Sequence, residues 1–240
     1  MQKLTGYLRA AIDRYGMIEA GDQIAVGVSG GKDSLTLLCA MAKLREYYPA
    51  PFSLFAISID PCFSGVEADY SAIEALCAEL SVPFTLRRTQ LARVIFEERK
   101  EKNPCSLCAR MRRGMLHNLC RELSCNKLAL GHHADDAAET FMMNLLYGGT
   151  IDCFSPKTYL SRKEITVIRP MIFCEEKEIR RVANALSLPV LRSACPRDGV
   201  SARAETAQLL RSLSKQYPGL KTKILGAMQR GEIAGWGTAK

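Results

Sequence analysis

Residues 26–34 read "VGVSGGKDS", an apolar run that breaks into a glycine-rich turn carrying one lysine and one aspartate. Gly27, Gly30 and Gly31 let the backbone turn tightly and bring its amide groups close to an oxyanion at the start of a helix, where the dipole also favours negative charge. Lys32 supplies a positive charge. A Walker loop has four residues between its first glycine and the Gly-Lys pair, whereas "GVSGGK" has three and runs on into Asp33 instead of a metal-binding hydroxyl. A carboxylate beside bound phosphates repels them unless a divalent metal stands between. Asp33 is therefore expected to contact Mg2+ in an ATP site.

The second group with chemistry in it is "NPCSLCARMRRGMLH", which places Cys105 and Cys108 ahead of a basic helical stretch. A CxxC pair alone reads equally as a zinc knuckle, a redox dithiol or part of an iron–sulfur site. A four-cysteine zinc site wants a second close pair, and none follows. Among the single cysteines Cys195 in "RSACPRDG" stands out, following an expected short strand, "PVLRSAC", and preceding a proline. Three thiolates are enough to hold three irons of a four-iron cluster and leave one iron open for chemistry. Cys39, Cys77, Cys120 and Cys174 lie in helical patterns and read as core residues. Two further groups sit where strands should end. Asp60 closes "FSLFAISID" and reads as a nucleotide contact or as a turn-forming residue before Pro61. "GHHADDAAET" opens a helix and would bring Gly131, His132, Asp135 and Asp136 to the same edge.

The elements that must position these residues are legible as alternation. After a helical segment at 3–17, the apolar runs "QIAVGVS", "FSLFAISID", "VPFTLRRT" and "NKLALGHH" are separated by amphipathic segments at 34–48, 66–81 and 106–124. A fifth run, "EITVIRPMIF", precedes helical "EEKEIRRVANAL" and a helical stretch at 201–216. This spacing predicts an α/β fold, an open parallel sheet with helices on both faces. The expected division is an N-terminal helix at 1–20, the α/β domain at 21–217 and a C-terminal tail at 218–240, whose last residues, "RGEIAGWGTAK", read as loose. The 240 residues carry 33 Lys and Arg against 25 Asp and Glu, a net charge of +8 that suits a polyanionic partner. No window approaches the roughly 18 consecutive apolar residues of a membrane span, and the N-terminus lacks the apolar core of a secretory signal. Cytoplasmic localisation, with reduced cysteines and no membrane partner, is the expectation.

"SGGKDS" resembles the pyrophosphate loop of the ATP pyrophosphatase superfamily, whose members split ATP to AMP and pyrophosphate while adenylating a substrate. That resemblance implies that Ser29, Gly30, Gly31, Lys32, Asp33 and Ser34 bind the phosphates. Together with "CSLCARMRRG", "ALGHHADDAAETFMMNLLYGG", the "SPK" at 155–157, "VIRPM" and "YPG", it is similar to the tRNA 2-thiocytidine synthetase family over about residues 3–230. The family's fold is adenine nucleotide alpha hydrolase-like, and its activity is ATP-dependent conversion of cytidine at anticodon-loop position 32 to 2-thiocytidine. Its members hold a [4Fe-4S] cluster on the cysteines matching Cys105, Cys108 and Cys195. The resemblance implies ATP and Mg2+ as further cofactors, Lys32 and Asp136 among the catalytic groups, and tRNA and a sulfur donor such as a cysteine desulfurase as partners, in a monomer or a homodimer. Arg110, Arg112 and Arg113 behind the CxxC, with Lys157 and Arg169 on later segments, are the expected tRNA contacts. Two other readings stand beside it: a lysidine-type tRNA ligase sharing the loop, and a non-catalytic zinc-bearing tRNA-binding module.

Overall fold

Six strands form one sheet in the order β3-β2-β1-β4-β6-β5, all parallel except the last pair. They are β1 (Gln23–Gly27), β2 (Ser53–Asp60), β3 (Phe84–Arg88), β4 (Lys127–Ala129), β5 (Lys157–Leu160) and β6 (Ile165–Ile168). The computed structural model describes residues 1–99, 104–192, 194–196, 202–231 and 233–237. The helices among these are α1 (Gln2–Tyr15), α2 (Lys32–Arg45), α3 (Ser71–Glu79), the short α4 (Leu91–Arg93), α5 (Pro104–Glu122), α6 (Ala134–Gly148), α7 (Glu176–Ala185), α8 (Ala202–Gln216) and α9 (Leu220–Arg230). None of them is long and apolar enough to cross a membrane.

The strands are continuous apolar runs because both sheet faces are covered. On one face Ala25, Ile57, Ile59, Leu128 and Val167 meet Leu119 and Cys120 of α5. On the other, Ile24, Val26 and Ala56 pack in a larger core with α1, α2, α6 and α7. Helices on both faces are thus observed, as the alternation predicts.

Three expectations differ. "KTYL" forms β5, an antiparallel edge strand paired with β6 that has too few apolar residues to announce itself. The expected short strand at 189–195 is absent among the described residues, and Leu191 instead donates its N–H to the Gly30 carbonyl at 2.9 Å. The stretch 218–240, expected to be a tail with a loose end, holds α9 with Ile224, Leu225 and Met228 buried, then Trp236 at 0% exposure. The Trp236 indole N–H donates to the Phe154 carbonyl at 3.0 Å, which satisfies the one polar atom of the ring. Trp236→Ala should therefore cost about 3–5 kcal/mol of stability. Calorimetry would show this as a lowered Tm, and an unchanged Tm would mean that the terminal segment adds nothing to the fold.

Candidate active site

In an open parallel sheet, ligands bind beyond the carboxyl ends of strands at the point where the strand order reverses. Here that point lies between β1 and β4, since the chain moves from β1 to β2 on one side and reaches β4 on the other. The loop after β1 is residues 28–31, and the loop after β4 is residues 130–133. They touch closely. A Cβ added to Gly131 would lie 3.1 Å from the Ser34 nitrogen and 3.2 Å from the Asp33 carbonyl, so only glycine allows α6 to start against the first turn of α2.

The phosphate loop is held by its own hydroxyls. Ser34 Oγ donates to the Gly31 carbonyl at 2.9 Å and accepts from the Ser29 N–H at 3.1 Å, while the Ser29 and Ser34 hydroxyls lie 3.1 Å apart. Gly30 sits at φ +85°, the left-handed region, and Leu191 covers it. Around this loop three helices begin: α2 at Lys32, α6 at Ala134 and α7 at Glu176. Their first-turn N–H groups have no intrahelical acceptor, and their dipoles place partial positive charge at one spot, which is an anion-binding arrangement.

Side chains tie the three starts together. Lys32 Nζ lies 2.9 Å from Asp33 Oδ1 and 3.1 Å from Glu176 Oε1. Asp135, buried, accepts from the Glu176 backbone N–H at 2.7 Å and pairs through its other oxygen with Lys221 of α9. Asp136 accepts from the His133 N–H at 3.0 Å, closing the first turn of α6. The His133 ring, also buried, faces Asp136 at 3.3 Å, Asp33 at 3.7 Å and Asp135 at 3.7 Å. Burial pushes the Glu176 carboxyl up, but hydrogen bonds from Lys32 and Arg180 outweigh it and hold the group at about 2. His132 is driven the other way, to about 3, by burial and then by Arg169 and Arg203, so its imidazole is neutral.

Cys105 and Cys108 lie on the first turns of α5, Cys105 exposed and Cys108 partly buried. Burial raises the Cys108 thiol; Arg112 opposes this, and the charges of Cys195 and Cys105 reinforce it. Both other thiols thus act on Cys108. Among the described residues no three His, Cys, Asp or Glu side chains are close enough to hold a single ion. Three thiols are soft donors of the kind that holds iron–sulfur clusters.

The remaining expected residues fall in different places. Both carboxylate oxygens of Asp60 are used by its own loop, accepting from the N–H groups of Cys62 at 3.0 Å and Ala68 at 2.9 Å, which is the turn-forming geometry. Lys157 reaches the Gly16 carbonyl and so completes the C-terminus of α1. Arg169 is 8% exposed, lies 4.9 Å over the Phe154 ring and donates to the Ser155 carbonyl at 2.6 Å. Arg110 and Arg113 are exposed on α5, with Arg112 partly exposed beside Cys108. Glu176, His133, Lys221 and Arg203, the last 3.5 Å from Asp136, join the site without a distinctive motif of their own. Only His133 lay within a segment singled out by its spacing.

Comparison with known proteins agrees with this geometry. The family described as a PP-loop domain matches residues 7–192. The tRNA-cytidine(32) 2-sulfurtransferase of Syntrophotalea carbinolica is 41% identical over 231 residues, covering 95% of this chain and 87% of the relative. The enzyme of the same description from Geobacter sulfurreducens is 38% identical, with 95% and 89% covered. Among solved structures, the U34-tRNA thiolase NcsA from Methanococcus maripaludis with its [4Fe-4S] cluster superimposes with a TM-score of 0.76 at 26% identity, covering 94% of this chain and 77% of that one. On identity and extent together, the chain belongs to the tRNA-cytidine(32) 2-sulfurtransferase family and carries its chemistry on a PP-loop domain.

Proposed function

We propose that the chain is an ATP-dependent tRNA sulfurtransferase that adenylates O2 of cytidine 32 and replaces that oxygen with sulfur, giving 2-thiocytidine. The observation that carries this reading is the hydrogen bond from Leu191 to Gly30. It fastens the segment bearing Cys195 to the phosphate loop, and a chain of four residues spans at most about 14 Å. That reach supports a reading in which Cys195 and the anion site serve one crevice.

Each part of the reaction asks something of a particular residue. The O2 of cytidine is a poor leaving group until AMP is attached to it. Lys32 and the helix starts bind the phosphate charge that is transferred and released. Asp33 is a hard oxygen donor at the edge of that anion site, which fits Mg2+, and it would hold the ion against the phosphates. Asp136 and His133 stand next to Asp33 and keep the first turn of α6 in place. Cys105, Cys108 and Cys195 fit a [4Fe-4S] cluster by their donor chemistry, and they would ligate three of its irons. Such a cluster, when bound, supplies an iron without a protein thiolate and with it a source of nucleophilic sulfur. AMP then leaves from C2 as sulfur replaces O2. Ser29, Gly30, Gly31, Ser34 and Gly131 shape the phosphate site. Arg110, Arg112 and Arg113 would meet tRNA phosphates beside the thiols, with sulfur from a donor of the cysteine desulfurase class, in the cytoplasm. Lys157 and Arg169 enter this reading as structural cations, for the contacts given above.

Anaerobic reconstitution with iron and sulfide, followed by nucleoside analysis of tRNA incubated with ATP and sulfide, tests the reading. The expected result is 2-thiocytidine with one AMP released per thiolation, and loss of tRNA-dependent AMP formation in Asp33→Ala. Lysidine formation, or AMP at the wild-type rate from Asp33→Ala, would overturn it.

A further inference from the structure

The Lys32 ammonium has three hydrogens to give, and two carboxylates claim it: Asp33 at 2.9 Å and Glu176 at 3.1 Å. Glu176 is held from behind. Its backbone N–H donates to Asp135 Oδ2 at 2.7 Å, and Asp135 is itself anchored by Lys221, so the first turn of α7 cannot drift from the loop. The side chain has a second cation to turn to, since Arg180 Nη2 lies 2.8 Å from the same oxygen, Oε1, that faces Lys32. On the α7 side of this contact opens a cavity of about 760 Å3, lined by Lys32, Glu176, Arg180, Asn184, Ser187 and Leu188 among others.

We propose that Glu176 competes with the pyrophosphate group for Lys32 and thereby sets how readily pyrophosphate leaves, through the cavity beside α7. The proposal rests on the ATP-splitting reading. When the bond between the α- and β-phosphates breaks, the charge held by the loop rises, because the bridging oxygen departs with pyrophosphate as an additional anionic group. Three helix starts and Lys32 would then grip the product harder than the substrate. A carboxylate fixed within reach of the same ammonium opposes that grip. Arg180 keeps Glu176 neutralised while the phosphates hold Lys32, so the exchange does not strand a charge. The four side chains sum to zero, Lys32 and Arg180 against Asp33 and Glu176, and removing Glu176 leaves one positive charge in excess beside the phosphates.

The test is titration of full-length protein with pyrophosphate in the presence of Mg2+, by calorimetry, for the wild type and Glu176→Gln. The isosteric amide leaves the fold and the Arg180 contact surface in place, and Glu176→Ala serves as a second variant. Both should bind pyrophosphate about tenfold more tightly, the size of effect expected of one screened unit charge at this range. In steady state, KM for ATP should fall, and turnover should fall with it as pyrophosphate release slows. Unchanged or weaker pyrophosphate binding in both variants would overturn the proposal, the weaker result assigning Glu176 to the metal. If the wild type bound no pyrophosphate and released none from ATP, the ATP-splitting reading would fall and this proposal with it.

Discussion

Cys195→Ala should leave the anaerobically purified protein without its iron and acid-labile sulfide, and the same loss should follow Cys105→Ala and Cys108→Ala. Ligand number sets this outcome. With three thiolates offered, any single change leaves two, and the cost should exceed the roughly 10- to 100-fold in metal affinity that follows loss of a mere outer-shell partner. Cys195 is the informative position, because it lies far along the chain from the CxxC pair and yet its charge reaches Cys108. A redox dithiol would use Cys105 and Cys108 only and leave Cys195 a bystander. Buried thiols give the controls. Burial pushes Cys39 and Cys77 up to about 11, which keeps them protonated and poor ligands, so Ala there should lower stability without changing iron content. Iron and sulfide per chain, with the visible charge-transfer absorbance, decide the matter. Wild-type iron in Cys195→Ala would remove the three-thiol site and the route by which sulfur reaches the substrate.

How much of this site could be read without the fold depends on whether a residue's role is set by its neighbours in sequence or by distant ones. Gly30, Gly31, Lys32 and Asp33 act through contiguous backbone, so their spacing alone announces a phosphate loop and rules out the Walker form. The Cys105 and Cys108 pair is equally local. Glu176 is different. An acidic residue in the first turn of a helix has an ordinary explanation in the helix dipole, and nothing in "EEKEIRR" says that Lys32, 144 positions earlier, will lie 3.1 Å away. Asp135 was legible as belonging to the edge, but its partners, the α7 N–H and Lys221, come from helices whose packing on α6 only the tertiary structure supplies. Arg169 shows the converse. Sequence reveals a positive charge but not its direction, and the guanidinium of this arginine lies over the Phe154 ring and donates to the Ser155 carbonyl. The C-terminal stretch reads as a tail, whereas Gly219, at φ +73°, stands at the start of another helix.

Gly30→Ala should abolish ATP-dependent AMP formation, by at least about 100-fold, because displacing a phosphate-binding group by even 1 Å has that cost. Two separate obstacles meet the new methyl group. At φ +85° an L-residue with a Cβ is strained by about 1–2 kcal/mol, and relieving that strain rotates the very amide groups that face the phosphates. The methyl carbon would also lie 2.9 Å from Leu191 Cδ1 and 3.1 Å from its Cβ and Cγ. That contact concerns the other half of the site, since the displaced segment carries Cys195. The single variant should therefore lose some iron as well as its adenylation activity. A second substitution separates the causes. In Gly30→Ala with Leu191→Ala the contacts with Cδ1 and Cγ are gone and only the Cβ at 3.1 Å remains, while the backbone strain persists, so iron content should return towards the wild-type level and AMP formation should stay at least about 100-fold down. If AMP formation recovered together with iron, the steric contact alone would account for both losses and the conformation of Gly30 would have no part in holding phosphate. Should Gly30→Ala form AMP at the wild-type rate, the loop after β1 would not be the phosphate site at all.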